Sequence, residues 1–463
     1  MSSTPTSGRT GTADTTGRAT ERTPNRWIIL AGGILVQLAI GGVYAWSTFA
    51  KAFQSPDSAL RLSKVEAAIP FELCIGMIFV GAFLGGRIQD RRGPRVVALT
   101  GVVIYAIGIL LSSFARDAGQ LWLLILGYGL ISGFGLGLAY IVPIAMLQKW
   151  FPDKAGLITG LAVGGFGFGA VLTSPVAQSL IGNDKVHPAA PFLPLGIAYL
   201  VAGVIGAMTF ANPPKGYRPP GAPDPALATE KAPGTTPAAA ATPARGGATE
   251  PVGTVALQRD FSQAEALRTL QWYLLTAILT LSVTAGISLI SVAASAASDV
   301  AGYSAAAAAS LVGLMGLFNG GGRILWGWVS DRIGKMLAFV AILAIQGLCL
   351  IALPHASSVA VFAILSAVIY TCYGGGFGTM PSTAGKFFGV SNAGGIYGLM
   401  LIGWSIGGVA GPLIASALIG SSKNYTMAFT VVGIIALVGA VVPFITKAPQ
   451  KPSALDDRPS PSV

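Results

Sequence analysis

"GRIQDRRGPR" at residues 86–95 and "GWVSDRIGK" at residues 327–335 are two copies of one phrase. Both fit G-x-x-x-D-R-x-G, and each follows the second long apolar run of its half of the chain. A second pair repeats at nearly the same offset. "KWFPDKAGLITGLAVGGFGFG" begins at Lys149 and "KFFGVSNAGGIYGLMLIGWSIGG" at Lys386, each bridging the fourth and fifth runs of its half. Two matched phrases at a near-constant spacing mark an internal repeat, to be read before any single element.

Around these anchors lie twelve apolar runs. They fall at 26–50, 65–86, 96–115, 120–144, 155–181, 191–212, 270–297, 305–328, 336–353, 358–381, 392–419 and 425–446. Each is close to the ~20 residues that a helix needs to cross a bilayer core. The composition agrees, with 53% hydrophobic and only 10% charged residues. Soluble domains carry roughly 25% charge. The expected fold is an all-α integral membrane protein with twelve transmembrane helices in two pseudo-symmetric six-helix bundles. Repeats of this kind place a substrate at the interface of the halves.

The halves are separated by residues 213–266, which open "PPKGYRPPGAPDP". Rich in Pro, Ala, Gly and Thr, this stretch offers too little apolar surface to order itself. The expected organisation is therefore a disordered tail at 1–24, a bundle at 25–212, a disordered linker at 213–266, a bundle at 267–446 and a disordered tail at 447–463. The first 24 residues lack the apolar core of a signal peptide. With both termini and the linker placed inside, 22 of the 29 Lys and Arg residues are cytoplasmic, and Lys51, Arg61, Lys64, Arg116, Lys185 and Lys423 are outside. That is the positive-inside pattern, and a cell membrane is the expected location. The net charge of +11 is scattered between apolar runs rather than gathered on one face, so nucleic acid is not an expected partner.

Enzyme chemistry has no carrier here. Cys74, Cys349 and Cys372 lie singly in apolar runs and read as small buried hydrophobes. His187 and His355 form no metal constellation, and no cofactor is expected. "GGFGFG" (164–169) and "GGGFG" (374–378) lie inside apolar runs with no preceding strand, so they read as helix-packing faces rather than nucleotide loops. Gly156, Gly160, Gly164 and Gly169, with Gly394, Gly398, Gly403 and Gly407, would pave the fifth and eleventh helices.

Two features remain. In the repeated loops Gly86, Asp90, Arg91 and Gly93 match Gly327, Asp331, Arg332 and Gly334. Each aspartate could accept hydrogen bonds from a helix N-terminus across the halves, where the helix dipole favours negative charge. Such a contact would hold one conformation and break in another. The second feature is Arg323, eight residues before Asp331 and so about 12 Å deeper along a helix, near the midplane of a ~30 Å core. A charge there costs at least ~2.5–3.5 kcal/mol and must face protein or water. Glu72, the nearest acid within a run, lies 18 residues before Asp90, about 27 Å above the inner face. The anion that neutralises Arg323 is then the substrate, best a carboxylate gripped by the guanidinium fork. Tyr140, Phe377 and Trp404 fall at a similar depth, with Tyr373 and Asn319 one turn higher. They describe a small amphipathic cavity.

At these residues the chain resembles the major facilitator superfamily and, more narrowly, the oxalate/formate antiporter family, relatives of the monocarboxylate transporters. The resemblance covers roughly residues 25–446. It rests on "NRWIILAGGILVQLAIGGVYAWSTF", "GLAYIVPIAMLQKWFPDKAGLITGLAVGGFG", "NGGGRILWGWVSDRIG" and "CYGGGFGTMPST". It implies alternating access between two bundles. It also implies a carboxylate-binding role for Arg323, with tyrosines of the first, fourth and tenth helices at Tyr44, Tyr140 and Tyr373. The chain departs from the oxalate exchangers where they carry a lysine in the eleventh helix, the matching position being Trp404. It departs from animal monocarboxylate carriers at Thr48, where they have a lysine, and at Asn319, where they have an acid.

The expected function is secondary transport of a small organic anion, foremost a monocarboxylate such as lactate, pyruvate or formate, with protons or a counter-anion as the coupled species. An oxalate/formate-type dicarboxylate exchanger, a drug exporter and a non-transporting membrane sensor are the alternatives. A monomer surrounded by membrane lipid is expected.

Overall fold

The computed structural model describes residues 24–214, 216–217, 259–420 and 424–452. Among these residues there is no β-strand, and twelve long helices carry the fold. In the first half they are α1 Arg26–Phe53, α2 Lys64–Arg92, α3 Pro94–Ser112, α4 Ala118–Trp150, α5 Ala155–Asn183 and α6 Phe192–Met208. In the second half they are α7 Leu270–Ala301, α8 Ala305–Ile333, α9 Lys335–Ala352, α10 Val359–Phe388, α11 Ala393–Ile419 and α12 Tyr425–Ile445. Ten are long and apolar enough to cross a membrane by length and composition, and α6 is a shorter apolar helix.

Local signals set the ends of these helices. Ser63 and Glu66 form a capping box at the start of α2, and Thr269 and Ser304 cap α7 and α8 through their side-chain oxygens. A lone glycine turns the chain between α2 and α3 and again between α8 and α9. Gly93 and Gly334 take φ of 87° and 94°, a region that disfavours any residue with a Cβ. The repeated D-R-x-G phrase is thus not a charged loop, as the sequence suggested, but the last helical turn plus a one-residue turn. Helices α2 and α8 run on past the apolar stretch because Asp90–Arg92 and Asp331–Ile333 are still within the backbone ladder. In α4 the ladder loosens into a π stretch, Ile125–Ser132.

Within the first half α2 packs on α4, α3 on α4 and α6, and α1 on α5 and α6. The second half repeats this, with α8 on α10, α7 on α11, and α9 on α10 and α12. Between halves, α5 meets α8 and α10, while α2 meets α11. The outer surface carries Ile107, Leu172, Val201, Leu348, Ile364 and Val438, each 50% or more exposed. A surface this apolar suits lipid, where only structures with internally satisfied backbone persist.

Two expected boundaries need correction. The linker was expected to lack order through residue 266, yet Arg259 to Leu267 are folded, with a capped helix at Gln263–Leu267. The reason is polar: this segment finds hydrogen-bond partners on the α10–α11 turn. The tail expected to be disordered from 447 likewise has its first residues placed, and the carbonyl of Pro452 accepts from the backbone of Arg259. Residues 218–258 and 453–463, and the expected tail before residue 24, lie outside the described residues.

Candidate substrate site

Arg323 is fully buried. Small residues make room for it, because α5, α8 and α10 approach backbone to backbone. A Cβ added at Gly160 or at Gly378 would collide with the carbonyl of Arg323, and one at Gly374 with that of Asn319. Close helix approach through glycines is the usual packing device in membranes. The guanidinium then turns toward the seam between the halves. Its Nε donates to Asn319 Oδ1 at 3.4 Å and one terminal nitrogen donates to the Val163 carbonyl at 3.3 Å, while Nη2 has no partner. No carboxylate among the described residues forms an ion pair with it.

Aromatic rings enclose the cation. Its carbon centre stands 4.8 Å from the Phe377 ring centroid and 5.5 Å from that of Phe166, within cation–π range. Trp404 closes the wall, with ring centroids 4.8 Å from Phe377, 5.7 Å from Tyr140 and 6.0 Å from Phe166. Tyr44 packs on Phe166 and Tyr373 on Phe377. The hydroxyls of Tyr44, Tyr140, Tyr373 and Tyr397 all lie within electrostatic reach of Arg323. Tyr44 faces Tyr373 and Tyr140 faces Tyr397, and Tyr44 and Tyr140 also face Arg323, but none of the four hydroxyls makes a hydrogen bond of good geometry to protein, and neither does Trp404 Nε1. A buried polar group without a partner costs about 1–3 kcal/mol. Five such donors surround one cation whose own Nη2 is also unpaired, an arrangement that could receive a group with acceptor oxygens.

All seven residues expected at the site therefore meet: Arg323, Asn319, Tyr44, Tyr140, Tyr373, Phe377 and Trp404. Tyr44 is partly exposed and the rest are buried. The sequence reading missed Phe166 and Tyr397. Both signals were present. Ten residues on from Gly394 comes Trp404, and the same count from the matching Gly156 reaches Phe166. Tyr397 lies seven residues before Trp404, two turns away on the same helix face.

The repeated phrase forms two latches across the halves. Asp331 Oδ1 and Oδ2 accept from the backbone N–H of Gly156 and Leu157 at 3.1 and 2.9 Å, at the N-terminus of α5. Asp90 Oδ2 accepts from the N–H of Gly395 at 2.9 Å, at the N-terminus of α11. Glycines seat both latches, Gly86 against Gly394 and Gly327 against Gly156. The arginines of the phrase do not take part in them. Arg91 is exposed, and Arg332 lies 3.7 Å over the Trp328 ring. Of the expected glycine faces, Gly156, Gly160 and Gly164 face α8, and Gly394 and Gly398 face α2. Gly169 faces α1 instead, while Gly403 and Gly407 face α7, so they hold their own halves together.

A sequence model described as the Major Facilitator Superfamily matches residues 27–401. The chain is 25% identical over 386 residues to the uncharacterized MFS-type transporter YhjX of Escherichia coli, covering 83% of this chain and 86% of that one. It is 25% identical to the oxalate:formate antiporter of Oxalobacter formigenes, covering 91% and 92%. It is 26% identical to the apicoplast pyruvate carrier 1 of Toxoplasma gondii, covering 82% of each. Among solved structures, the MFS transporter FucP in its outward conformation aligns with a TM-score of 0.62 at 17% identity, covering 91% of this chain and all of that one.

Proposed function

Because this chain belongs to the Major Facilitator Superfamily, and is accordingly a multi-pass membrane transporter rather than an enzyme, we propose that its cargo is a small organic anion with one carboxylate. The observation that carries this is Arg323. It is a buried cation with a free Nη2, aromatic walls and partnerless hydroxyl and indole donors around it. A carboxylate presents two oxygens with about four lone-pair sites. One carboxylate neutralises Arg323 and accepts from the tyrosines, while Phe166, Phe377 and Trp404 take a short apolar substituent. Lactate and pyruvate carry one carboxylate and a short substituent of this kind, and formate is the limiting case with a hydrogen in its place. The relatives named for oxalate, formate and pyruvate transport share the chemistry.

Two alternatives fare worse at this site. A cationic drug meets Arg323 with like charge. A dicarboxylate leaves a second charge beside Trp404, without a fixed cation to pair it. Coupling follows the same logic. Asn319 stands where a proton-carrying acid would sit one turn from Arg323. Protons thus travel with the substrate, or a second anion returns in exchange. We place both termini in the cytoplasm and the latches at the cytoplasmic face of the cell membrane, on the distribution of Lys and Arg.

Uptake of a panel of labelled anions into proteoliposomes tests this. Arg323→Ala is expected to lower monocarboxylate uptake at least ~100-fold, the effect of losing about 3 kcal/mol of charge-assisted hydrogen bonding. Arg323→Lys keeps the charge without the fork and is expected to be badly impaired as well. Wild-type uptake by a correctly inserted alanine variant overturns the assignment.

A further inference from the structure

The two halves repeat, yet their latch lysines are used differently. In the first half Lys149, at the end of α4, stands 3.9 Å from Asp90 and donates to the Ser391 carbonyl at 3.5 Å. Its counterpart in the second half is Lys386, at the end of α10. That lysine does not reach Asp331. Lys335 has taken the position, at 2.6 Å from Asp331 Oδ1 and 2.9 Å from Ser330 Oγ. Lys386 is left exposed and makes no ion pair among the described residues. It lines a cavity of about 350 Å³ together with Lys335, Thr383, Thr446, Ile333 and Leu337.

The lining says what fits. The two lysines give the cavity a positive wall. The Thr383 and Thr446 hydroxyls already donate to carbonyls of their own helices at 2.8 Å, so the lysines supply the charge and the donors. Apolar side chains stand beside them at the surface: Ile333 and Leu337 of the lining are 44% and 53% exposed, and Phe444 and Ile445, next to Thr446, are 67% and 64% exposed. A cationic wall beside exposed apolar side chains, at the latch end of membrane-crossing helices, matches a phosphate attached to a hydrophobic body. Basic pockets between helices at this depth are suited to anionic headgroups.

We propose that this cavity binds the phosphate of an anionic membrane lipid between Lys386 and Lys335. Lys335 also holds Asp331, so the bound phosphate competes with the latch for one ammonium group. Lipid charge is thereby coupled to the α5–α8 contact. This site lies on α8–α9, α10 and the end of α12, apart from Arg323, and does not depend on the cargo.

Native mass spectrometry of the purified transporter tests the proposal with phosphatidylglycerol, phosphatidylcholine and inorganic phosphate as separate probes. Phosphatidylglycerol is expected to remain bound, and Lys386→Gln is expected to weaken it about fivefold, the effect of one Lys near an anionic headgroup. Arg91→Gln, on an exposed residue of the other half, is expected to leave it unchanged. Displacement of the lipid by inorganic phosphate, with the same loss in Lys386→Gln, keeps the phosphate site and assigns it to a soluble source. Equal phosphatidylglycerol binding by wild type and Lys386→Gln overturns the proposal. So does an equal loss in Arg91→Gln, or phosphatidylcholine held as firmly as phosphatidylglycerol.

Discussion

At the residue scale the cluster is organised around one cation, and on the proposed function Trp404 sets the valence of the cargo. The indole stands 4.8 Å from Phe377, which itself covers the guanidinium of Arg323. A lysine at 404 would put a second ammonium on the opposite side of that wall. In wild type a dicarboxylate leaves one charge unpaired in a poorly hydrated site, which is expensive. Trp404→Lys is therefore expected to strengthen competition by oxalate or malonate against a labelled monocarboxylate, at some cost in expression, because two cations repel without substrate. A wild type that already accepts oxalate as readily as formate defeats the single-cation reading. The depth of these residues was legible in the sequence, because a helix rise converts residue counts into ångströms. Which neighbour each ring touches was not. Phe166 sits in a glycine run that reads as pure packing, and only the close approach of α5 and α8 through Gly160 and Gly167 brings it against Arg323.

At the element scale the approach to α7 shows where compositional reading ends. Residues 213–266 looked uniformly unable to fold, yet the last of them hold the α10–α11 turn. Asp260 Oδ2 accepts from the backbone N–H of Val390 and Ser391 and from the Ser391 hydroxyl at 2.7–3.1 Å. Gln263 donates to the Gly395 carbonyl, and Phe261 packs on Phe388. That turn carries the N-terminus of α11, the one that Asp90 holds. Polar partners supplied from more than a hundred residues away are invisible to a window of local composition. Asp260→Asn is expected to raise amide hydrogen exchange at Val390 and Ser391 severalfold, each charge-assisted bond being worth roughly 1.5 kcal/mol. Unchanged exchange there would mean that the turn holds itself.

The pH behaviour of this element also follows. Arg259 forks onto Glu265 at 2.7 and 2.9 Å and, with the Ser262 backbone N–H, lowers its carboxyl to about 2. A carboxyl with a depressed folded pKa contributes stability that is fully present above its ordinary value of 4.5 and is lost as pH falls through about 2. The exchange protection of Ser262–Leu267 is therefore expected to stay flat from pH 5 to 8, after correction for intrinsic rates, and to weaken only below about 4.5. A transition near neutrality would assign the control to another group.

At the scale of the whole molecule the two latches stand side by side between the bundles and act in parallel. Each pairs a carboxylate of one half with a helix N-terminus of the other, where the dipole and the free N–H groups favour negative charge. Asp331 makes two such bonds and also holds Lys335, while Asp90 makes one, with Lys149 at 3.9 Å. Both are made in the conformation described here, so both weigh toward closure at this end. Neutralising either aspartate removes charge-assisted bonding of about 1.5 kcal/mol or more, roughly tenfold in the ratio of open to closed states. Asp331→Asn is expected to shift that ratio further than Asp90→Asn, because it loses more bonds. The latches share no residue, so the double variant is expected to show nearly the product of the two effects. Double electron–electron resonance between labels at the exposed positions Lys154 and Lys447, one in each half, with Cys349 replaced, reads the separation directly. A longer-distance population that grows from wild type to the single variants and again in the double variant is the expected outcome. Identical distance distributions in all four proteins would show that the glycine seats at Gly86–Gly394 and Gly156–Gly327, and not the carboxylates, keep the halves together.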